Sequence, residues 1–262
     1  MRIATWNVNS IKAHFTQVTE WVKAEKPDVL CLQEIKCENA NFPQAAFEEL
    51  GYACAVHGQK TYNGVALLAK GRIEDIVRGL PGDDADDHAR FVAGTIYGDN
   101  KKPVTVVSIY LPNGNPAPGP KYDYKLAWMK RLKAYAAELL KREEPFVITG
   151  DYNVIPALID MRKPELWVDD ALWLAPTRAA FQELVHLGLT EAYRALHPQT
   201  KDAYTFWDYQ AGAWQRNNGI RIDHHLLSPQ AADLLTAARI HRDVRGDEKP
   251  SDHVPVEITL NA

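Results

Sequence analysis

At 262 residues the chain is long enough to bury one substantial core and near the upper size for a single one. Its 46% hydrophobic and 24% charged residues exclude a disordered or fibrous polymer. A net charge of −4 excludes global attraction to a polyanion, so any nucleic-acid phosphate must be met by a local basic face or by bound cations.

Ile3 to Val8 reads as a first strand, after which Ile11, Phe15, Val18, Trp21 and Val22 recur at helical spacing and stop before Pro27. Val29 to Gln33 is a short buried strand and Pro43 to Leu50 a helix. Tyr52 to His57, Gly64 to Ala69, Phe91 to Tyr97 and Val104 to Tyr110 then follow as strands with no long helix between them, which predicts antiparallel pairing. Gly79 to His88 and Pro112 to Pro120 read as surface loops. A long helix from about Lys125 to Lys141 leads into the strand Phe146 to Thr149, and a helix over Pro176 to Leu187 precedes the aromatic stretch Tyr204 to Trp207. Ile222 to Leu227 and Val254 to Leu260 close the chain as strands. Two halves alike in outline predict an α/β protein, with two packed mixed sheets and helices outside, in one domain over residues 1–262.

Cys31, Cys37 and Cys54 form no CxxC pair and are odd in number, which fits a reduced, cytoplasmic protein without a thiolate zinc site. No run approaches the roughly 18 apolar residues of a membrane span. Lys121, Lys125, Lys130, Arg131 and Lys133 offer a basic face toward phosphate, or simply a solvated helix surface.

Short polar side chains gather where strands meet loops: Asn7, Glu34, Tyr110 with Asn113, Asp151 with Asn153, and Asp252 with His253. Loops at strand ends commonly line one rim of an α/β scaffold. A carboxylate closing the buried strand at Leu32-Gln33-Glu34 is costly unless a cation or donor meets it. Glu34, Asn7 and Asp252 make a hard oxygen set suited to Mg²⁺. Gly150-Asp151-Tyr152-Asn153 is either a plain turn or a device in which Asp151 takes a proton from water and Asn153 donates to phosphate. Asp223 and His253 form a candidate carboxylate–imidazole pair, while His224 and His225 suit packing or surface roles. Tyr110 either closes a strand or bonds a phosphate or leaving oxygen. Phe206, Trp207 and Trp214 are either core or the apolar wall of a pocket for a sugar lacking its base. Tyr62 and Asn63-Gly64 read as a hairpin turn, with phosphate contact as the second reading.

The motifs Trp6-Asn7-Val8-Asn9, Leu32-Gln33-Glu34-Ile35-Lys36, Tyr62-Asn63-Gly64, Tyr110-Leu111-Pro112-Asn113, Gly150-Asp151-Tyr152-Asn153, Tyr204-Thr205-Phe206-Trp207, Arg221-Ile222-Asp223 and Ser251-Asp252-His253 stand in one order along nearly the whole chain. In this the sequence resembles the exodeoxyribonuclease III family of abasic-site endonucleases. The resemblance implies a four-layer α/β sandwich, a Mg²⁺ or Mn²⁺ site and action on double-stranded DNA; a monomer is the default expectation. It implies cleavage 5′ to abasic sites, 3′→5′ exonuclease action and cleaning of 3′ ends. By matching motif it implies a metal region at Asn7, Glu34 and Asp252, shared by Asp151, Asn153 and His253. Tyr110, Asp151, Asn153, Asp223 and His253 become catalytic, Asn113 a substrate contact, and Phe206, Trp207, Ile220 and Ile222 the abasic pocket. The chain departs from the family pattern at Asn9, Arg162-Lys163 and Ile220. Two other readings are a phosphatase of small phosphoesters and a non-catalytic nucleic-acid-binding module.

Overall fold

The computed structural model describes residues 1–98 and 102–262. Its elements run β1 (Arg2–Asn7), α1 (Phe15–Glu25), β2 (Val29–Gln33), α2 (Gln44–Glu49), β3 (Tyr52–His57), β4 (Val65–Lys70), β5 (Glu74–Arg78), β6 (Phe91–Tyr97), β7 (Pro103–Tyr110), α3 (Pro120–Leu140) and β8 (Phe146–Asp151). They continue with α4 (Ala175–Val185), β9 (Thr190–Glu191), α5 (Ala192–Leu196), β10 (Asp223–Leu227), α6 (Pro229–Ala232), β11 (Leu235–Ile240) and β12 (Val256–Leu260).

Alternation along the strands builds the layers. In β1 and β2, Ile3, Val29 and Cys31 face the opposite sheet, while Ala4, Trp6, Leu30 and Leu32 face α1 and α2. The second sheet does the same: Val104, Val106 and Val147 point inward, and Val107, Ile109, Phe146 and Ile148 pack on α3 and α4. Each fully buried side chain of this size contributes about 1.5–3 kcal/mol. The result is two six-stranded mixed sheets, ordered β11-β12-β1-β2-β4-β3 and β5-β6-β7-β8-β10-β9, with helices outside. This is the expected four-layer α/β sandwich.

Each sheet holds one parallel pair at its centre, β1 with β2 and β7 with β8, and antiparallel strands around it. The carboxyl ends of those parallel pairs lie side by side, and there the chain presents its polar residues. Beneath them Gln33 donates to Thr5 Oγ1 (3.0 Å) and Ser108 Oγ (3.1 Å), so its buried amide nitrogen is satisfied.

Several boundaries differ from the sequence expectation. The long helix starts at Pro120, not Lys125, since proline is pre-set for the first helical turn. Strands β5 and β11 were not predicted: both are edge strands without a single buried residue, so neither carries an apolar run. Among the described residues no helix is long and apolar enough to cross a membrane.

Candidate active site

Strand register assembles the site. Tyr110 lies opposite Asp151 in the parallel β7–β8 pair, and Asp223 lies opposite Asp151 in the antiparallel β8–β10 pair. Gly150 makes this possible, because a Cβ there would collide with the Ile109 carbonyl of the neighbouring strand. His253 arrives from the segment ahead of β12, held by a bond from Trp6 Nε1 to its carbonyl oxygen (3.1 Å).

His253 therefore stands between two acids. Its Nδ1 is 2.9 Å from Asp223 Oδ2, and its Nε2 is 3.8 Å from Asp151 Oδ2. Burial pushes the imidazole toward losing its proton, but Asp223 and then Asp151 outweigh it and hold the ring up to about 10. Burial likewise pushes the Asp151 carboxyl up, to about 7; the nearby imidazolium opposes this and the Asp223 charge adds to it. Asp151 is thus a carboxyl poised to exchange a proton near neutrality.

Asn7 joins the two sheets across the site, its Nδ2 donating to Glu34 Oε1 (2.8 Å) and to Asp151 Oδ2 (2.9 Å). Asn7 thus turns its nitrogen toward both acids, while its oxygen accepts from the Asn9 amide (3.0 Å). Asn153 is similarly engaged. Its backbone amide donates to Asp151 Oδ1 (2.8 Å), its Nδ2 to the Leu111 carbonyl (2.9 Å), and its Oδ1 accepts from Asn113 Nδ2 (3.1 Å). Glu34 receives Lys36 Nζ at 2.9 Å. Burial raises the Glu34 carboxyl, but Lys36 and Asn7 more than offset that and hold it below its ordinary value. Burial, with the Glu34 charge next, pushes the Tyr110 phenol well above its ordinary value, so it keeps its proton.

Glu34, Tyr110, Asn113, Asp151, Asn153, Phe206, Ile222, Asp252 and His253 line one cavity of about 340 Å³. Two expected wall residues are not among them. Trp207 packs with Tyr204, Ala213 and Val254 and donates to Asn217 Oδ1 (3.2 Å); Ile220 lies with Ile155 and Met161 beneath the surface. Half-buried Phe206 and buried Ile222 are the expected wall residues that do line it. Trp167 and Leu172, which sequence reasoning missed, complete the wall.

Three cations beside the site were misplaced or passed over by the sequence reading. Lys125 is fully buried and donates to the carbonyls of Asn113 (3.0 Å) and Asn153 (2.6 Å). It is therefore no part of a basic surface, and Arg131 and Lys133 are engaged by Asp86 and Glu183. The guanidinium of Arg90 sits 4.7 Å over the Tyr110 ring. Lys36 sits on Glu34, and its position two residues later was the available signal. Behind the site, Asp160 accepts from Arg221 Nε (2.7 Å) and Arg194 Nη2 (2.6 Å), and Glu191 accepts from Arg221 Nη1 (2.9 Å). His224 is buried in this network and His225 in the core beside it, as packing roles require.

Glu34 and Asp252 both line this cavity, and carboxylate oxygens are the donor type that suits a hard divalent cation. Asp151, Asp223 and His253 also lie close enough to hold an ion, their ligand atoms within 4.8 Å of one another. Those three are already paired with each other, which fits proton handling better.

A model of the Endonuclease/Exonuclease/phosphatase family matches residues 4–253. The chain is 34% identical to the exodeoxyribonuclease III of Haemophilus influenzae, over 98% of each. Its structure is similar to that of an AP endonuclease from Archaeoglobus fulgidus (TM-score 0.94, 35% identity, 100% of both chains). It is similar also to a 3′ phosphatase, NExo, from Neisseria bound to a product DNA hairpin (TM-score 0.95, 37% identity, 100% of both chains).

Proposed function

This chain belongs to the endonuclease/exonuclease/phosphatase family, and from that premise we propose that it is a DNA-repair phosphodiesterase dependent on Mg²⁺ or Mn²⁺. Its substrates are double-stranded DNA at abasic sites, cut 5′ to the lesion, and 3′ ends, which it trims and cleans. It works as a monomeric, single-domain cytoplasmic enzyme. The observation that carries the reading is the line Asp223–His253–Asp151, joined through Asn7 to Glu34 in one cavity.

Glu34 and Asp252 would hold the divalent cation, which when bound would supply positive charge at the phosphate. Asp151, raised toward neutrality by burial, accepts the proton of the attacking water. His253, kept protonated by Asp223, presents Nε2 to a phosphate oxygen. Asn113 donates to the same group, with Asn153 fixing its orientation. The water oxygen bonds to phosphorus as the bond from phosphorus to the 3′ oxygen breaks, and the Tyr110 phenol donates to the departing oxygen. The products are a 3′-hydroxyl and a 5′-phosphate. Phe206 and Ile222 supply an apolar wall for a sugar without its base.

A duplex carrying one abasic analogue tests this. Nicking is expected with Mg²⁺, to stop with EDTA, and to fall by at least about 10² in Asp151→Ala, the scale of general acid–base catalysis. Undiminished cutting by Asp151→Ala sinks the assignment.

A further inference from the structure

We propose that Lys36 holds down the affinity of Glu34 for a divalent cation by sharing its carboxylate, and so sets the cation concentration at which the site fills. The inference rests on the reading of Glu34 as a cation ligand.

Both Glu34 oxygens have a donor: Asn7 Nδ2 on Oε1 at 2.8 Å and Lys36 Nζ on Oε2 at 2.9 Å. The ammonium is no loose surface charge. Lys36 Nζ also donates to Asn9 Oδ1 (2.5 Å), and the Asn9 amide donates to Asn7 Oδ1 (3.0 Å), which closes a ring of four residues. The backbone holds that ring. Asn9, Glu34 and Lys36 all adopt left-handed φ values (41°, 49° and 51°), and left-handed backbone at non-glycine residues persists where surroundings over-determine it. Ser10 donates to the Glu34 carbonyl (2.7 Å) and the Lys36 amide to the Asn63 carbonyl (3.0 Å), pinning both turns.

The ring's charges then decide the outcome. It holds one acid, Glu34, and one cation, Lys36; Asn9 and Asn7 are neutral. A divalent ion reaching Glu34 meets an ammonium already bonded to the same carboxylate, and the two repel and compete. Asn9 solvates the ammonium but does not neutralise it, so Lys36 has no other acid to turn to within the ring. Its side chain is 28% exposed, so screening moderates the effect without removing it.

The test is Mn²⁺ titration of the intact protein without nucleic acid, following free Mn²⁺ by electron paramagnetic resonance. Lys36→Met is expected to bind Mn²⁺ about tenfold more tightly than wild type. Lys36→Gln should follow it, and Lys36→Arg should stay within about twofold of wild type. Asn9→Asp, which gives Lys36 its own acid, should also tighten binding. Lys60→Met removes a charge from the neighbouring groove without touching Glu34 and should change little. Melting temperatures identify any variant that fails to fold. If folded Lys36→Met and Lys36→Gln bind no better than Lys60→Met, the inference is wrong. If Glu34→Gln binds as well as wild type, the cation site itself is misplaced and the inference goes with it, and the two failures are told apart by that variant.

Discussion

Replacing Asp223 by Asn removes the charge that offsets the burial of His253 and keeps the side chain's size. The two groups are 2.9 Å apart, and their side chains are only 4% and 0% exposed. Burial alone would strip the imidazolium of its proton; Asp223 foremost, then Asp151, reverses this and holds the ring at about 10. Because that folded value lies above the ordinary 6.5, the pair's stabilisation is fully present below about pH 6.5 and is lost as pH rises through about 10. Removing one partner of a buried ion pair costs about 3–5 kcal/mol, and the amide retains an acceptor, so a loss near ~3 kcal/mol is expected around neutral pH. Urea unfolding in EDTA, run between about pH 6 and 10, should show wild-type stability falling over the upper range and a lower, flatter profile for the variant. The His253 ring, followed by NMR, should lose its proton at a lower pH in the variant than in the wild type. A ring that still titrates near 10 without Asp223, or stabilities equal within about 0.5 kcal/mol, would refute the reasoning.

Other expectations follow from the same structure. Gly150→Ala forces a Cβ into the Ile109 carbonyl and should destabilise the protein by more than about 3 kcal/mol, measured by urea unfolding. Lys125→Met removes a buried ammonium that burial lowers to about 7, together with its two carbonyl bonds. These effects nearly cancel, so stability should move by less than about 1.5 kcal/mol while nicking falls several-fold as the Asn113 and Asn153 loops loosen. In the Asp160–Arg221–Glu191 network, burial raises both carboxyls but Arg221 more than offsets it, holding them below their ordinary values. That stabilisation is present above about pH 4 and lost as pH falls, so Asp160→Asn should flatten the acid limb of a stability profile.

What the sequence disclosed was whatever local pattern encodes. The buried strands are short, nearly continuous apolar runs, and Glu34, Asp151 and Asp252 stand in motifs at strand ends, so both sheets and the carboxylates were legible. Strands β5 and β11 were not, because an exposed edge strand has no such run. Phe206 and Trp207 could not be told apart by type; only the bridge pairing Phe206 with Ile220 and His253 decides that Phe206 faces the cavity. Lys125 sits among basic helix residues and reads as solvated, yet its partners are two carbonyls delivered by distant loops. The bonds from Asn7 to Glu34 and Asp151 could not be read from its own motif, because they depend on neighbours from two other strands.

The most direct test of the central claim, that a water aided by Asp151 attacks phosphorus, is to cut an abasic duplex in water enriched in a heavy oxygen isotope and weigh both products. One heavy oxygen is predicted in the new 5′-phosphate and none in the 3′-hydroxyl. An unlabelled 5′-phosphate beside an unsaturated sugar end would mean that the strand breaks by elimination, contradicting the account.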